Sequence, residues 1–193
     1  MDKKGIICYI LVENTEFGRS KEMSFFRDYQ NYKDEIDIAL IQNGCVEIEL
    51  YSVIASILRE SKNGCILSVR DVSGRRKTEI SKAYYGDAGF PDFVLLNRDK
   101  DPNKPVTIYG CVEAKMPTVK LNEKDEQIQG HIKSFKKVLY TNGIRWILFD
   151  NDKKTFDITL GEIINADKRN EIKWYEQEKW DELLDKIDQI GMV

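Results

Sequence analysis

Phe90-Pro91-Asp92-Phe93-Val94-Leu95-Leu96 and Val106-Thr107-Ile108-Tyr109-Gly110-Cys111-Val112-Glu113-Ala114-Lys115 are two apolar runs that carry charges where strands bury side chains. Both have the β-branched and aromatic content of strands. Asp99 to Pro105 between them is rich in Asp, Asn and Pro, as a turn requires. Pro91 suits the first position of a strand, where its missing N–H breaks no ladder. An unpaired buried charge costs on the order of several kcal/mol or shifts its pKa, so these side chains need compensation. Side chains alternate along a strand, which puts Glu113 and Lys115 on one face and Val112 and Ala114 on the other, packed face. Asp92 and Glu113, 21 residues apart, then offer two hard oxygen ligands beside a lysine. A divalent metal and a phosphate would balance that set.

Outward from this pair, Cys45 to Glu60 places Leu50, Tyr51, Ile54, Ile57 and Leu58 at helical spacing, and Lys62-Asn63-Gly64 ends the helix. Glu47 precedes Tyr51, Ile54 and Leu58 by four, seven and eleven residues and so lies on the apolar stripe, whereas Glu49 projects to the side. Glu47 is either a third carboxylate of the site or an N-terminal glutamate favoured by the helix macrodipole. Residues 5–12 read as a strand, and residues 20–42 as a charge-rich helix stopped by Asn43-Gly44. A strand is expected at Cys65–Arg70, then a polar turn over Val72–Lys77 and a second extended piece. Downstream, the spacing of Ile128, Ile132, Phe135 and Leu139 predicts one amphipathic helix over 123–141, closed by Gly143. A buried strand Ile144–Asp150, a strand Thr155–Leu160 and a last helix near Trp174–Ile190 complete the chain.

The Asp92…Glu113-Ala114-Lys115 pattern resembles the PD-(D/E)XK nuclease superfamily, which has the restriction-endonuclease-like fold. Over about residues 45–160 the chain is similar to the nuclease domains of restriction systems, especially the N-terminal domain of type I motor subunits. The resemblance implies an α/β fold whose central mixed β-sheet is flanked by helices in the order αβββαβ. It also implies hydrolysis of DNA phosphodiesters with Mg²⁺, for which Mn²⁺ substitutes. Asp92, Glu113 and the backbone carbonyl of Ala114 would be metal ligands, and Lys115 the catalytic lysine that orients the attacking water or stabilises transition-state charge. Many members carry a glutamate on the helix before the sheet, the place of Glu47. Several branches have Gln-x-x-x-Tyr on the helix after the motif; here Gln127 is followed by His131, a departure. His131 is then either a phosphate contact or a surface histidine without a role.

With 193 residues, the chain suits a single domain, 1–193. Its longest apolar run, Ile6 to Val12, is too short to span a bilayer and ends without a cleavage site, so a cytoplasmic protein is expected. Cys8, Cys45, Cys65 and Cys111 have no metal-binding spacing and read as buried free thiols. One histidine excludes sites that need several. No GxxxxGK[ST] loop is present, which excludes a P-loop motor in this chain. The net charge of −3 argues against a nonspecific nucleic-acid coat protein but leaves room for local positive potential. Arg75, Arg76 and Lys77 at a turn tip are the first candidates for gripping a DNA backbone, with Lys133, Lys136 and Lys137 a second cluster; solvated surface charge is the plain alternative. Trp174, Tyr175 and Trp180 read as core or dimer anchors rather than base-stacking platforms. The partners expected are DNA and either a second copy of the chain or a larger restriction or processing complex. The competing expectations are a nonhydrolytic DNA-binding or assembly subunit on the same fold, and a junction-resolving enzyme.

Overall fold

The computed structural model describes residues 25–43, 47–166 and 169–190. The strand expected at 5–12, the start of the helix expected at 20–42, and Cys8 and Cys45 lie outside them. After a short 3-10 turn at Phe25–Arg27 come α1 (Tyr29–Asn43) and α2 (Glu49–Arg59). Then follow β1 (Leu67–Asp71), β2 (Phe93–Asn97), β3 (Ile108–Ala114), α3 (Glu126–Ser134) and β4 (Lys137–Thr141). The chain finishes with β5 (Arg145–Asp150), β6 (Lys153–Thr159), β7 (Gly161–Ala166), β8 (Arg169–Trp174) and α4 (Gln177–Ile187).

β1 to β6 form one mixed sheet in sequence order, antiparallel throughout except where β3 pairs β4 in parallel. A parallel pair cannot be joined by a tight turn, and α3 supplies the crossover. Both faces are covered. Phe93, Leu95, Val112, Ala114, Leu139, Trp146 and Leu148 pack toward α1, α2 and α4. The alternating Val94, Leu96, Cys111, Val138, Tyr140 and Ile147 pack with Ile128 and Phe135 of the α3 region. Two-sided burial explains why β2 and β3 read as nearly continuous apolar runs. The result is a mixed α/β fold with a six-stranded sheet between helices. Gly110 is required where β3 meets β4, because a Cβ there would lie 2.4 Å from the Lys137 carbonyl oxygen.

Several expectations need correction. The helix predicted over 123–141 ends at Ser134; Phe135 is extended, and Val138, Leu139, Tyr140 and Thr141 fill the slot beside β3 as β4. Gly143, at φ +81°, makes the β4–β5 turn rather than a helix cap. The second extended piece after the turn at 72–77 forms no strand. Its polar residues fold onto themselves, with Ser81 Oγ donating to the Arg76 carbonyl at 2.7 Å, and lead into a 3-10 turn at Lys82–Tyr84. The β7–β8 hairpin was not anticipated, and the last helix begins at Gln177, because Trp174 ends β8. Cys111 is buried as expected, but Cys65 is exposed. Trp180 is fully buried against Tyr29 and Tyr32, a core anchor. Among the described residues, no helix is long and apolar enough to cross a membrane.

Candidate active site

The β2–β3 register builds the site. Phe93 pairs with Val112, so Asp92, one residue before β2, stands beside the last residues of β3. The Ala114 amide donates to Asp92 Oδ2 at 2.7 Å, and the Tyr51 hydroxyl of α2 donates to Asp92 Oδ1. Glu113 is 1% and Asp92 7% exposed. Lys115, just past β3 and on the Glu113 face, is anchored by its own amide donating to the Thr141 carbonyl at 2.8 Å. Its ammonium donates to Glu113 Oε1 at 2.6 Å and to Gln127 Oε1 at 3.1 Å, and lies 3.9 Å from Glu47 Oε2. Gln127 is presented by the first turn of α3, which Asp125 caps by accepting from the Gln127 amide at 2.9 Å.

Glu47, Asp92, Glu113, Lys115 and Gln127, all singled out from the sequence, therefore converge. Glu47 does so from the turn before α2 rather than from the helix itself, with the Tyr51 hydroxyl 3.3 Å from its Oε1. Tyr51 is the functional side chain that the sequence reading missed. Its ring lies on the apolar stripe of α2, while its hydroxyl reaches both Asp92 and Glu47. His131 is corrected most sharply: it is fully buried, not a surface residue, and its Nε2 lies 3.2 Å from Glu113 Oε2. Arg75, Arg76 and Lys77 stand outside the cluster on the exposed loop after β1. That loop leaves the sheet beside the site, where the Val72 amide donates to the Asp92 carbonyl at 2.8 Å. Arg75 lies 5.3 Å from the Tyr84 ring centre and Lys77 3.9 Å from that of Tyr85. Lys137, placed with the second basic cluster, is held by Asp150 at 3.2 Å on β4.

Three carboxylates around one lysine leave the cluster short of positive charge. Burial, then the neighbouring Glu113, push the Asp92 carboxyl up to about 6, against the opposing hydrogen bonds of Tyr51 and the Ala114 amide. Burial disfavours the Lys115 charge, but Glu113 and then Glu47 outweigh it and hold its pKa above the ordinary lysine value. Among the described residues, no group of three or more His, Cys, Asp or Glu side chains is arranged to hold a metal ion. Lys115 faces Glu113 Oε1 instead, and both Asp92 oxygens are turned to protein donors.

Folded Asp92 keeps its proton to higher pH than the unfolded chain does, so the stability it contributes is present at low pH. That contribution fades as pH rises from 3.8 through about 6. The loss is expected to reach about 3 kcal/mol. Unfolding midpoints against pH for wild type and Asp92→Asn isolate this carboxyl: the wild type should decline relative to the variant across that window. Parallel curves would contradict the assignment.

No family model matches the chain, and no curated protein matches it. Among solved structures, it is similar to a chain of a DrdV–DNA complex determined by electron cryomicroscopy, with a TM-score of 0.46 and 13% identity. The match covers 67% of this chain and 12% of that one. A likeness at that level carries no argument about what this protein does.

Proposed function

We propose that this protein is a divalent-metal-dependent deoxyribonuclease with a restriction-endonuclease-like core, acting as an endonuclease in a restriction or DNA-processing system. The observation that carries the reading is the meeting of Asp92, Glu113 and Lys115 at adjoining strand ends, with Lys115 held between Glu113 and Gln127. The element order from α2 to β4, helix–strand–strand–strand–helix–strand, supports it.

The residues fit a hard cation. Their donors are carboxylate oxygens, and Asp92 resists carrying its charge. Asp92, Glu113, Glu47 and the Ala114 carbonyl would hold the ion. Mg²⁺, or Mn²⁺ in its place, would supply charge neutralisation at phosphorus and activation of water. Tyr51 and the Ala114 amide orient the Asp92 carboxylate. Lys115, whose pKa is raised, stays charged at neutral pH. Its role is to stabilise the negative charge that develops on the phosphoryl oxygens or to orient the attacking water. Gln127 fixes the ammonium in that position. The loop carrying Arg75, Arg76 and Lys77 leaves the same sheet end and would grip the DNA backbone, giving affinity without sequence preference.

Metal binding tests the reading without relying on cleavage. Mg²⁺ or Mn²⁺ should raise the unfolding temperature of the wild type, by about 2.7 kcal/mol of stability at a hundredfold excess over Kd, and should leave Glu113→Ala unmoved. Equal stabilisation of both proteins would refute the assignment. One observation favours a nonhydrolytic DNA-binding subunit: Lys115 and Tyr51 already engage Glu113 Oε1 and Asp92 Oδ1. That alternative predicts no metal response in either protein.

A further inference from the structure

His131, the one histidine in the chain, is enclosed in a core whose other polar groups are mostly paired. Its Nε2 lies 3.2 Å from Glu113 Oε2, but off the line of a hydrogen bond, so that oxygen and both ring nitrogens have no aligned partner among the described residues. Burying a polar ring without partners is costly, and a leucine or phenylalanine would fill the space next to Phe135 without that cost. The placement is also specific. Gln127 and His131 are one helical turn apart, so α3 presents one to Lys115 and the other to Glu113. Gly130 lets α3 sit tight against the loop before β2, since a Cβ there would lie 2.6 Å from the Ala88 Cβ.

Resting on the metal reading above, we propose that His131 is a positioning residue that holds the second oxygen of Glu113 and thereby sets the affinity of the site for its cation. Lys115 occupies Oε1 and His131 faces Oε2, so the carboxylate plane is bracketed from both sides. The proposal requires only that the imidazole N–H and Oε2, already 3.2 Å apart, come into line. Groups that orient metal ligands in this way typically alter metal affinity about 10–100-fold when removed.

The test is a Mn²⁺ titration, followed by calorimetry and by thermal shift, of wild type, His131→Phe and His131→Gln. His131→Phe keeps the ring volume without the donor, and its Mn²⁺ affinity should fall about 10–100-fold. His131→Gln restores an N–H near the same place and should recover most of the loss. In DNA cleavage, the Mn²⁺ concentration for half-maximal rate should rise in His131→Phe while the rate at saturating Mn²⁺ is regained; a merely structural role would not produce that split. If His131→Phe fails to fold, His131→Asn, which withdraws the polar group from Glu113, takes its place with the same expected loss. A folded His131→Phe that binds Mn²⁺ as tightly as the wild type overturns the proposal alone. A wild type that binds no Mn²⁺ overturns the metal reading and this proposal with it.

Discussion

Lys115→Ala is expected to lower metal-dependent DNA cleavage by about 10²–10³-fold, the loss typical when one preorganised electrostatic partner of a transition state is removed. The structure gives the lysine no comparable task elsewhere. Its ammonium touches Glu113, Gln127 and Glu47, all at the candidate site, and its side chain is only 20% exposed. Removing it also leaves Glu113 Oε1 without its 2.6 Å partner. The metal-free variant should therefore be less stable than the wild type, and added Mg²⁺ should restore much of the difference. Lys115→Arg is not a conservative rescue, because the planar guanidinium cannot reproduce a compact ammonium seated between Glu113 and Gln127. Single-turnover cleavage at saturating metal, with circular dichroism to confirm the fold, is the measurement. A variant that cuts as fast as the wild type would remove Lys115 from the site.

Asp188→Ala is expected to destabilise the protein by about 3–5 kcal/mol, the cost of breaking a buried charge pair from one side. Asp188 follows α4 and is 4% exposed at its side chain. It accepts from Arg27 at 2.9 Å and from the Lys62 amide at 2.8 Å, with the Lys62 ammonium 3.3 Å away. Its carbonyl accepts from the Asn63 side chain at 2.5 Å. One residue thus joins the 3-10 turn at Phe25–Arg27, the turn after α2 and the end of α4. Burial works against its charge, but the Lys62 amide and Arg27 outweigh burial and hold its pKa below the ordinary carboxylate value. For a lowered pKa, the stability is present at neutral pH and lost as pH falls through the acid range, the opposite of Asp92. Urea denaturation at neutral pH measures the effect. A loss below about 1 kcal/mol would mark the pair as an ordinary surface ion pair.

The two strands that carry the site were legible because their signals were local. Apolar runs with a Pro-and-Asp-rich turn between them specify β2 and β3, and the period of two places Glu113 and Lys115 together. The α2 stripe was legible for the same reason, since Leu50, Tyr51, Ile54, Ile57 and Leu58 are all buried. The end of α3 was not. Ile128, Ile132, Phe135 and Leu139 fit a helical period, yet the parallel slot beside β3 claims Lys137–Thr141 as a strand. Tertiary pairing there overrode local spacing. The inward turn of His131 was signalled by its spacing, three residues after Ile128 and four before Phe135, but the residue type suggested solvent, and its neighbour Glu113 lies on another element. Tyr51 was concealed by its own chemistry, its ring serving the core while its hydroxyl serves Asp92.

Incubating the purified protein with covalently closed circular and with linear DNA in Mg²⁺ or Mn²⁺, beside Lys115→Ala, decides whether the cluster hydrolyses DNA. The wild type should open the circle, chelation of the metal should stop it, and Lys115→Ala should open it far more slowly. Intact DNA of both kinds in the presence of folded, metal-supplemented wild type would contradict hydrolysis by the cluster.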